Sequence, residues 1–229
     1  MRNRSVVALL SLLCLGVFVF GCSSETPPTQ EAEGASNTTP DRNTGTAAAK
    51  PKQPATDPMH PLVEVATTHG TITIELDMEQ APVTSTNFLD YVNSSHYNGT
   101  VFHYVEDGAM ILGGGFTPEF EQKPTSPPIR NEAHNGLKNV RGSIAMSRYP
   151  DSIDSATCQF FINLGDNEAL DFKDQSPEGY GYCVFGRVVK GMEVADKIAK
   201  LPVQDSGDFV STPQEPVVIK SAKLPTTVR

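Results

Sequence analysis

A stretch of 36 consecutive residues, from Ser23 to Pro58, contains no aromatic residue and no Leu, Ile, Val or Met. Thr, Ser, Ala, Glu and six Pro dominate it, so it cannot bury an apolar core and is expected to act as a disordered tether. The chain therefore divides at this stretch. We predict a signal peptide over residues 1–21, a tether over residues 22–58 and one folded domain over residues 59–229.

The residues before the tether are typical of a secretory signal. Arg2 and Arg4 precede a 15-residue apolar run, residues 6–20, which is shorter than the roughly 20 residues of a membrane-spanning helix. The run ends in Val-Phe-Gly-Cys22, which resembles a bacterial lipobox, in which the Cys is acylated and becomes the first mature residue. We expect a lipoprotein that acylated Cys22 anchors to a membrane of the cell envelope, facing the periplasm or the outer surface. Signal cleavage without acylation is the alternative.

The charge and the spacing of potential ligands limit the partners. With 18 basic and 27 acidic residues the formal charge is −9, which argues against nucleic acid as a partner because phosphates require a basic surface. Removal of Arg2 and Arg4 leaves 16 basic residues and a charge of −11, so anionic lipid would repel the mature chain and the acyl group must hold it. No C-x-x-C, H-x-x-H or H-E-x-x-H spacing occurs, so we expect no metal site.

Short alternating segments predict a mainly β domain. Residues 62–65 and 71–76 alternate on either side of His69-Gly70, which indicates a hairpin. A helix is predicted to begin at Ala81-Pro82, and a second covers residues 191–200. Many short strands with two isolated helices are typical of a β-barrel or sandwich that is covered by helices. The first helix is expected to bury Val83, Phe88, Leu89 and Val92, and further strands are expected within residues 100–116, 142–147, 159–164, 182–189 and 216–224.

Five sequence blocks carry a family resemblance. They are Asn87-Phe88 with Tyr91, then YNGTVFH at residues 97–103, GGGF at 113–116, DSATCQFFI at 154–162 and YCVFGRVVKG at 182–191. In order and spacing they resemble the cyclophilins, the peptidyl-prolyl isomerase family, of the bacterial periplasmic type, over about residues 61–225. The resemblance implies a closed eight-stranded antiparallel barrel with a helix over each end. It also implies a monomer without a cofactor that acts on proline-containing polypeptide segments.

The same resemblance assigns a binding wall. In cyclophilins an Arg follows the Phe-His pair and donates a hydrogen bond to the prolyl nitrogen, whereas this chain has Tyr104 there. Ala109 and Ala169 stand where the family has large aromatic residues, and Leu112 replaces a Gln. The other wall positions carried over from the family are Met110, Ser147, Arg148, Gln159, Phe161, Leu170 and Tyr182. At Ser147 and Arg148 the backbone, rather than the side chain, is expected to pair with the peptide.

These departures predict a weak isomerase. Amide resonance holds back rotation about an Xaa-Pro bond with a barrier of roughly 18–20 kcal/mol, and a donor to the prolyl nitrogen lowers it selectively. Without the Arg, activity would depend on the Tyr104 hydroxyl, or on the Arg148 guanidinium moving in to replace it. The alternative is a module that binds proline peptides, or acts as a scaffold, without catalysis.

Several buried residues have a structural interpretation. Cys158 and Cys183 lie on predicted strands and are expected to be free buried thiols, with a disulfide as the alternative in an oxidising compartment. His103 is expected to be a structural strand residue. Because side chains alternate on a strand, one of Phe160 and Phe161 should face the core and the other the binding wall.

Overall fold

The computed structural model describes residues 57–225, which form ten strands, two α-helices and two short 3-10 turns. The predicted signal peptide, Cys22 and residues 23–56 of the tether lie outside the described residues. No helix in the described part of the chain has the length and apolar character needed to cross a membrane. The elements are β1 (Leu62–Thr67), β2 (Gly70–Leu76), α1 (Pro82–Asn93), β3 (Val101–Glu106), β4 (Met110–Gly113), β5 (Ser143–Met146), β6 (Phe160–Asn163), β7 (Val184–Lys190), α2 (Met192–Ala199), β8 (Val203–Ser206), β9 (Phe209–Pro213) and β10 (Val217–Lys223).

Eight of the strands close into a barrel in the order β1-β10-β3-β4-β6-β5-β7-β2, and every neighbouring pair is antiparallel. Closure leaves the sheet without an unpaired edge strand. The first hairpin turns where the sequence predicts it, and the Thr67 hydroxyl donates to the Gly70 carbonyl across the turn at 2.8 Å. The predicted eight-stranded antiparallel barrel with two helices is therefore confirmed.

Aromatic side chains fill the interior of the barrel. The ring of Phe88, on α1, lies 5.1 to 5.4 Å from the rings of Tyr97, Phe160 and Phe185, and all four side chains are fully buried. The Tyr97 hydroxyl donates to the carbonyl of Cys158 at 2.9 Å, so this buried polar group has a partner. Large rings in these tilted and edge-on arrangements supply much of the hydrophobic stabilisation of the core.

Helix α1 begins at Pro82, as predicted, but its buried face differs from the expected one. Val83 is 42% exposed, whereas Thr84 and Ser85 are fully buried. Both hydroxyls have partners in the core, and Thr84 donates to the Glu132 carboxylate at 2.7 Å. The expectation for Val83 was wrong because hydrogen-bonded hydroxyls, which hydrophobic periodicity does not detect, occupy part of the core-facing stripe.

A glycine corner ends β4 where the sequence has three consecutive glycines. Gly114 has φ +91°, and a Cβ atom there would lie 2.9 Å from ring atoms of both Phe160 and Tyr97. At Gly113 a Cβ would lie 2.7 Å from the carbonyl oxygen of Val101. These positions therefore leave no room for a side chain at the point where the chain leaves the barrel wall.

The hairpin formed by β8 and β9 was not predicted from the sequence. Its first strand is mostly exposed and Val203 faces solvent, so it lacks the apolar alternation that marks a half-buried strand. Phe209 fixes the hairpin to the barrel by packing against the rings of Phe120 at 4.6 Å, Phe116 at 4.9 Å and His103 at 5.7 Å.

Cys158 and Cys183 are both buried in the domain, and no disulfide joins them. The Cys183 Sγ atom lies 3.3 Å from the Thr84 hydroxyl, and burial raises the pKa of this thiol to about 12. Because the thiolate is the reactive form, we expect Cys183 to react slowly at neutral pH. The structure therefore agrees with buried thiols rather than a disulfide.

Candidate functional site

The two adjacent phenylalanines of β6 face opposite sides of the barrel wall. Phe160 belongs to the interior cluster, and Phe161 belongs to a second, separate cluster on the other face. This is the arrangement that strand alternation predicts. We call the second group the outer cluster; it consists of Met110, Leu112, Ala145, Phe161, Leu170, Tyr182 and Val184, with Tyr104 and Leu137 packed against it.

Strand register aligns much of the outer cluster in one row across five strands. Tyr104 of β3 pairs with Leu112 of β4, and Leu112 pairs with Phe161 of β6. The row continues through Ala145 of β5 to Val184 of β7. Paired residues on neighbouring strands present their side chains on the same face, so the row forms a continuous and mainly apolar wall.

Tyr104 lies at the β3 end of this row and is half-buried. Its hydroxyl donates a 2.7 Å hydrogen bond to Oε2 of Glu106, which lies two residues further along the same face of the strand. Burial, together with this hydrogen bond, raises the pKa of Tyr104 far above its usual range, so the hydroxyl keeps its proton at neutral pH. A phenol has one proton to donate, and in this structure Glu106 accepts it.

Arg148 lies beside Tyr182, with its guanidinium carbon 4.9 Å from the centre of the Tyr182 ring. The side chain is almost completely buried, and burial lowers its pKa from the usual value. It donates hydrogen bonds of 2.7 to 3.0 Å to the carbonyls of Tyr149, Pro150, Pro177 and Gly181. The structure therefore does not support Arg148 as a replacement donor to the prolyl nitrogen, since these carbonyls already hold its guanidinium.

Ser147 and Gln159 lie one row beyond Ala145 and Phe161 on the same face. The Ser147 N–H donates to the Gln159 carbonyl at 2.9 Å, so this N–H is used within the protein rather than being free for a bound peptide. The side chain of Gln159 is half-buried and packs against the glycine corner at Gly115. The two residues thus extend the wall, and backbone pairing at Ser147 cannot use its N–H without breaking this bond.

Ala109 and Ala169 lie at the rim of the outer cluster. Ala109 is half-buried just before β4, and Ala169 is exposed in a 3-10 turn whose next residue, Leu170, is buried. The Ala109 carbonyl accepts hydrogen bonds from the Leu164 N–H at 2.8 Å and from Nδ2 of Asn167 at 3.0 Å. These bonds tie the segment that carries Ala109 to the segment that leads into Ala169.

His103 precedes Tyr104 but is not part of the outer cluster. Its ring packs edge-on against Phe116 at 4.9 Å, beneath the β8–β9 hairpin. Its Nδ1 atom is buried without a hydrogen-bond partner, and burial lowers the pKa of His103 to about 4. The imidazole is therefore neutral at physiological pH and has a packing role.

A second concave surface lies apart from the outer cluster. It is a groove of about 980 Å³ between α1 and residues 124–129, bordered among others by Tyr91, His96 and three prolines. None of the predicted site residues lines it. Within residues 57–225, no three His, Cys, Asp or Glu side chains converge as metal ligands would.

Glu106 is the polar residue at this site that the sequence did not single out, and the apolar residues Ala145, Val184 and Leu137 of the outer cluster were also not predicted. The position of Glu106 two residues after Tyr104 places both side chains on one face of a strand, and that spacing was the available signal. The resemblance gave no role to this position, and the contact itself depends on side-chain rotamers that the sequence does not specify.

Comparison with known proteins identifies the family to which this barrel and wall belong. The sequence profile described as "Cyclophilin type peptidyl-prolyl cis-trans isomerase/CLD" matches residues 62–224. The chain belongs to this cyclophilin family. Peptidyl-prolyl cis-trans isomerase A of Dickeya dadantii is 50% identical to this cyclophilin over 177 residues, which are 77% of this chain and 90% of the relative. Peptidyl-prolyl cis-trans isomerase B of Escherichia coli is 50% identical over 163 residues, 71% of this chain and 99% of the relative.

Solved cyclophilin structures share the fold. A Cryptosporidium parvum cyclophilin-type isomerase, crystallised in the presence of the dipeptide Ala-Pro, aligns with a TM-score of 0.60 and 23% identity, over 72% of this chain and 99% of that chain. A cyclophilin from Hirschia baltica aligns with a TM-score of 0.60 and 21% identity, over 76% of each chain. At these identities the likeness concerns the barrel.

The structure of this cyclophilin brings most of the predicted wall together. Met110, Phe161 and Leu170 meet in the outer cluster, with Tyr104 packed against it. The Arg148 guanidinium, by contrast, is held by loop carbonyls, and Ala169 is exposed at the rim. The wall is thus apolar at its base and has a hydroxyl and a carboxylate at its β3 end.

Proposed function

We propose that this cyclophilin is a peptidyl-prolyl cis-trans isomerase of reduced activity that acts on Xaa-Pro bonds during protein folding in the cell envelope. Membership of the family supports the reaction, and the outer cluster offers an apolar surface for a proline ring. The hydrogen bond between Tyr104 and Glu106 is the observation that carries the proposal of reduced activity.

Isomerisation requires selective stabilisation of the twisted amide. In the transition state the prolyl nitrogen is pyramidal and its lone pair can accept a hydrogen bond, which it cannot do while it is conjugated with the carbonyl. A cationic donor at this place is therefore valuable, and removing one such donor from an active site typically costs about 10² to 10³ in rate.

Tyr104 meets this requirement poorly. Its hydroxyl is neutral and donates its proton to Oε2 of Glu106 at 2.7 Å, so donation to a substrate would first require that this bond break. A hydrogen bond to a charged group contributes about 1.5–3 kcal/mol, and this loss would add to the barrier. Ala109 and Ala169 also give less contact with a substrate than the aromatic residues expected from the family.

The same hydrogen bond supports a second candidate function. If Tyr104 never releases Glu106, the wall can still bind a proline-containing segment without accelerating its isomerisation. The protein would then be a proline-peptide-binding or scaffold module on a cyclophilin barrel. This candidate retains the role of Met110, Phe161 and Leu170 but assigns no catalytic role to Tyr104.

Placement in the envelope is supported by the N-terminal sequence. Arg2, Arg4 and the short apolar run before Cys22 have the order of a lipoprotein signal. The tether after Cys22 would separate the domain from the lipid headgroups, so the wall could reach polypeptides that fold near the membrane. Client proteins would be segments with an accessible Xaa-Pro bond.

Exchange of Tyr104 tests the proposal. Isomerisation of a proline tetrapeptide is measured by NMR exchange for the wild type, Tyr104→Phe, Tyr104→Arg and the double variant Tyr104→Arg/Glu106→Gln. The double variant is needed because Glu106 would hold a guanidinium at position 104 as firmly as it holds the hydroxyl. We expect a low wild-type rate, and an increase of at least about tenfold when Arg is present and Glu106 is neutral.

Gln204→Arg is the matched control for Tyr104→Arg, since it adds the same single positive charge at an exposed position on β8. A measurable wild-type rate that Tyr104→Phe abolishes would favour the weak enzyme. A wild type without activity that gains it in the double variant would favour the binding module. A wild-type rate equal to that of the double variant would contradict reduced activity. If the NMR signals of no variant shift on titration with proline peptides, both candidate functions are contradicted.

A further inference from the structure

At the β3 end of the wall the charged side chains are acidic, whereas the family pattern implies a basic one. The β3–β4 hairpin, residues 101–113, contains no Lys and no Arg, but it contains Glu106 and Asp107. Tyr104 occupies the position of the expected Arg. A cation is therefore absent from this hairpin, and two carboxylates are present.

Glu106 lies next to the base of the outer cluster. It pairs across the strands with Met110, which is almost completely buried in that cluster. Neighbouring strands are about 4.8 Å apart, so the Glu106 carboxylate is close to any ring that rests on Met110. Glu106 is itself only partly buried and remains accessible to a ligand.

Two arginines of the described domain have partners other than Glu106. The Arg148 guanidinium is bound by loop carbonyls, and Arg141 forms a 2.8 Å ion pair with Asp196. Within the described part of the chain, Glu106 forms no salt bridge. Its negative charge is therefore available to a bound molecule.

The hydrogen bond to Tyr104 also determines what the pair can offer. The phenol gives its single proton to Oε2 of Glu106, which leaves the Tyr104 oxygen and the second carboxylate oxygen as acceptors. An anionic acceptor pair binds a cationic donor better than a neutral or acidic group, and it repels a carboxylate.

We propose that Glu106, together with Tyr104, makes this site select proline peptides that carry a Lys or Arg side chain next to the proline. The inference rests on the proposed function, since it takes the outer cluster as the seat of the proline ring. With the ring on Met110, the long stem of a Lys or Arg on the preceding or following residue spans the distance to Glu106 while it covers apolar surface.

Titration with matched peptides tests the selectivity without requiring catalysis. Capped pentapeptides with a central Ala-Pro-Ala sequence are compared with versions in which Lys, norleucine or Glu replaces the residue before or after the proline. Norleucine has the same apolar stem as Lys but no charge. We expect a Lys peptide to bind about three- to fivefold more tightly than its norleucine counterpart, as for a partly exposed ion pair, and the Glu peptide to bind more weakly than either.

Two variants assign the preference to one residue. Glu106→Gln should remove the difference between Lys and norleucine peptides, whereas Glu64→Gln, the same substitution on β1 at another part of the barrel, should retain it. On the wild type alone, 1 M salt should reduce the Lys preference because it screens exposed charges. Equal binding of Lys and norleucine peptides at low salt would overturn this inference and leave the proposed function intact. Failure of every proline peptide to bind would overturn both.

Discussion

His103 carries a buried ring nitrogen without a partner, directly beside the residue that defines the site. The surrounding rings of Phe116 and Phe209 exclude water and offer no acceptor. An imidazolium in these surroundings would lose its hydration, which is why burial lowers the pKa of His103 to about 4, against the opposing effect of a hydrogen bond with the Val101 backbone. The buried imidazole beneath the β8–β9 hairpin is therefore a source of acid sensitivity.

Protonation of His103 in the folded and unfolded states determines whether stability rises or falls with pH. In the unfolded chain the imidazole has its ordinary pKa of 6.5. Between pH 6.5 and 4 the unfolded state therefore takes up a proton that the folded state does not take up. Stability should fall over this range, by on the order of 3 kcal/mol at most. Urea unfolding at several pH values should show a smaller loss for His103→Leu than for the wild type.

His134→Gln is the control for that experiment, because His134 is exposed. This variant should lose as much free energy of unfolding in acid as the wild type does. Carboxylates also contribute to that loss, in both proteins. If His103→Leu and the wild type lose the same free energy of unfolding between pH 6.5 and 4, the buried imidazole does not act as described.

Positions at the site were predictable, but the bonds between them were not. The resemblance placed Tyr104, Met110 and Phe161 on one wall, since strand spacing and alternation are fixed by the backbone. The partners of Tyr104 and Arg148 were not predictable. A phenol and a guanidinium have several rotamers, and only the folded loops determine which carboxylate or carbonyl lies within reach.

Among the elements, the turn after β4 is one that leaves no room for a side chain. Gly114 and Gly136 have nearly the same φ, +91° and +88°. A Cβ atom at Gly114 would lie 2.9 Å from two aromatic rings, whereas one at Gly136 would meet nothing within 4 Å. We expect Gly114→Ala to reduce the free energy of unfolding by about 2 kcal/mol more than Gly136→Ala, because overpacking adds to the same backbone strain. Urea denaturation of the two variants measures this difference, and equal losses would contradict the close packing at the corner.

Elements whose apolar residues follow a regular period could be predicted, and the others could not. The β1–β2 hairpin and helix α2 were anticipated within a few residues. The β8–β9 hairpin was missed because Phe209 is its main apolar contact with the barrel, and one apolar position has no period. Its other anchor is the buried Thr212 hydroxyl, which donates to the His103 carbonyl at 2.8 Å and which hydrophobic periodicity does not detect. Val83 was misassigned because Thr84 and Ser85 face the core in its place.

For the whole molecule, the proposed lipid anchor governs where the barrel acts. The mature chain would carry a formal charge of −11 with 16 basic and 27 acidic residues, so anionic membranes would repel it without an acyl group. We expect the full-length protein, expressed in a bacterium, to fractionate with membranes. Cys22→Ser should release it to the soluble envelope fraction, while Cys158→Ser should leave it bound because that thiol is buried in the domain. Intact mass of the membrane form should exceed the mass of the cleaved polypeptide by that of its acyl chains. A wild-type protein without added mass would indicate ordinary signal cleavage.

Because Phe160 and Phe161 face opposite sides of one strand, the barrel interior and the outer cluster occupy alternate positions of the same short segments. Substitutions on one face can therefore accumulate without disturbing the packing of the other. In this chain the interior rings of Phe88 and Phe160 are in contact, and the outer cluster on the other face contains Met110, Leu112 and Phe161. An insertion or deletion of one residue has the opposite effect, since a slip of one position would exchange the two faces. This architecture thus tolerates substitution in the site far better than it tolerates any change in the length of its strands.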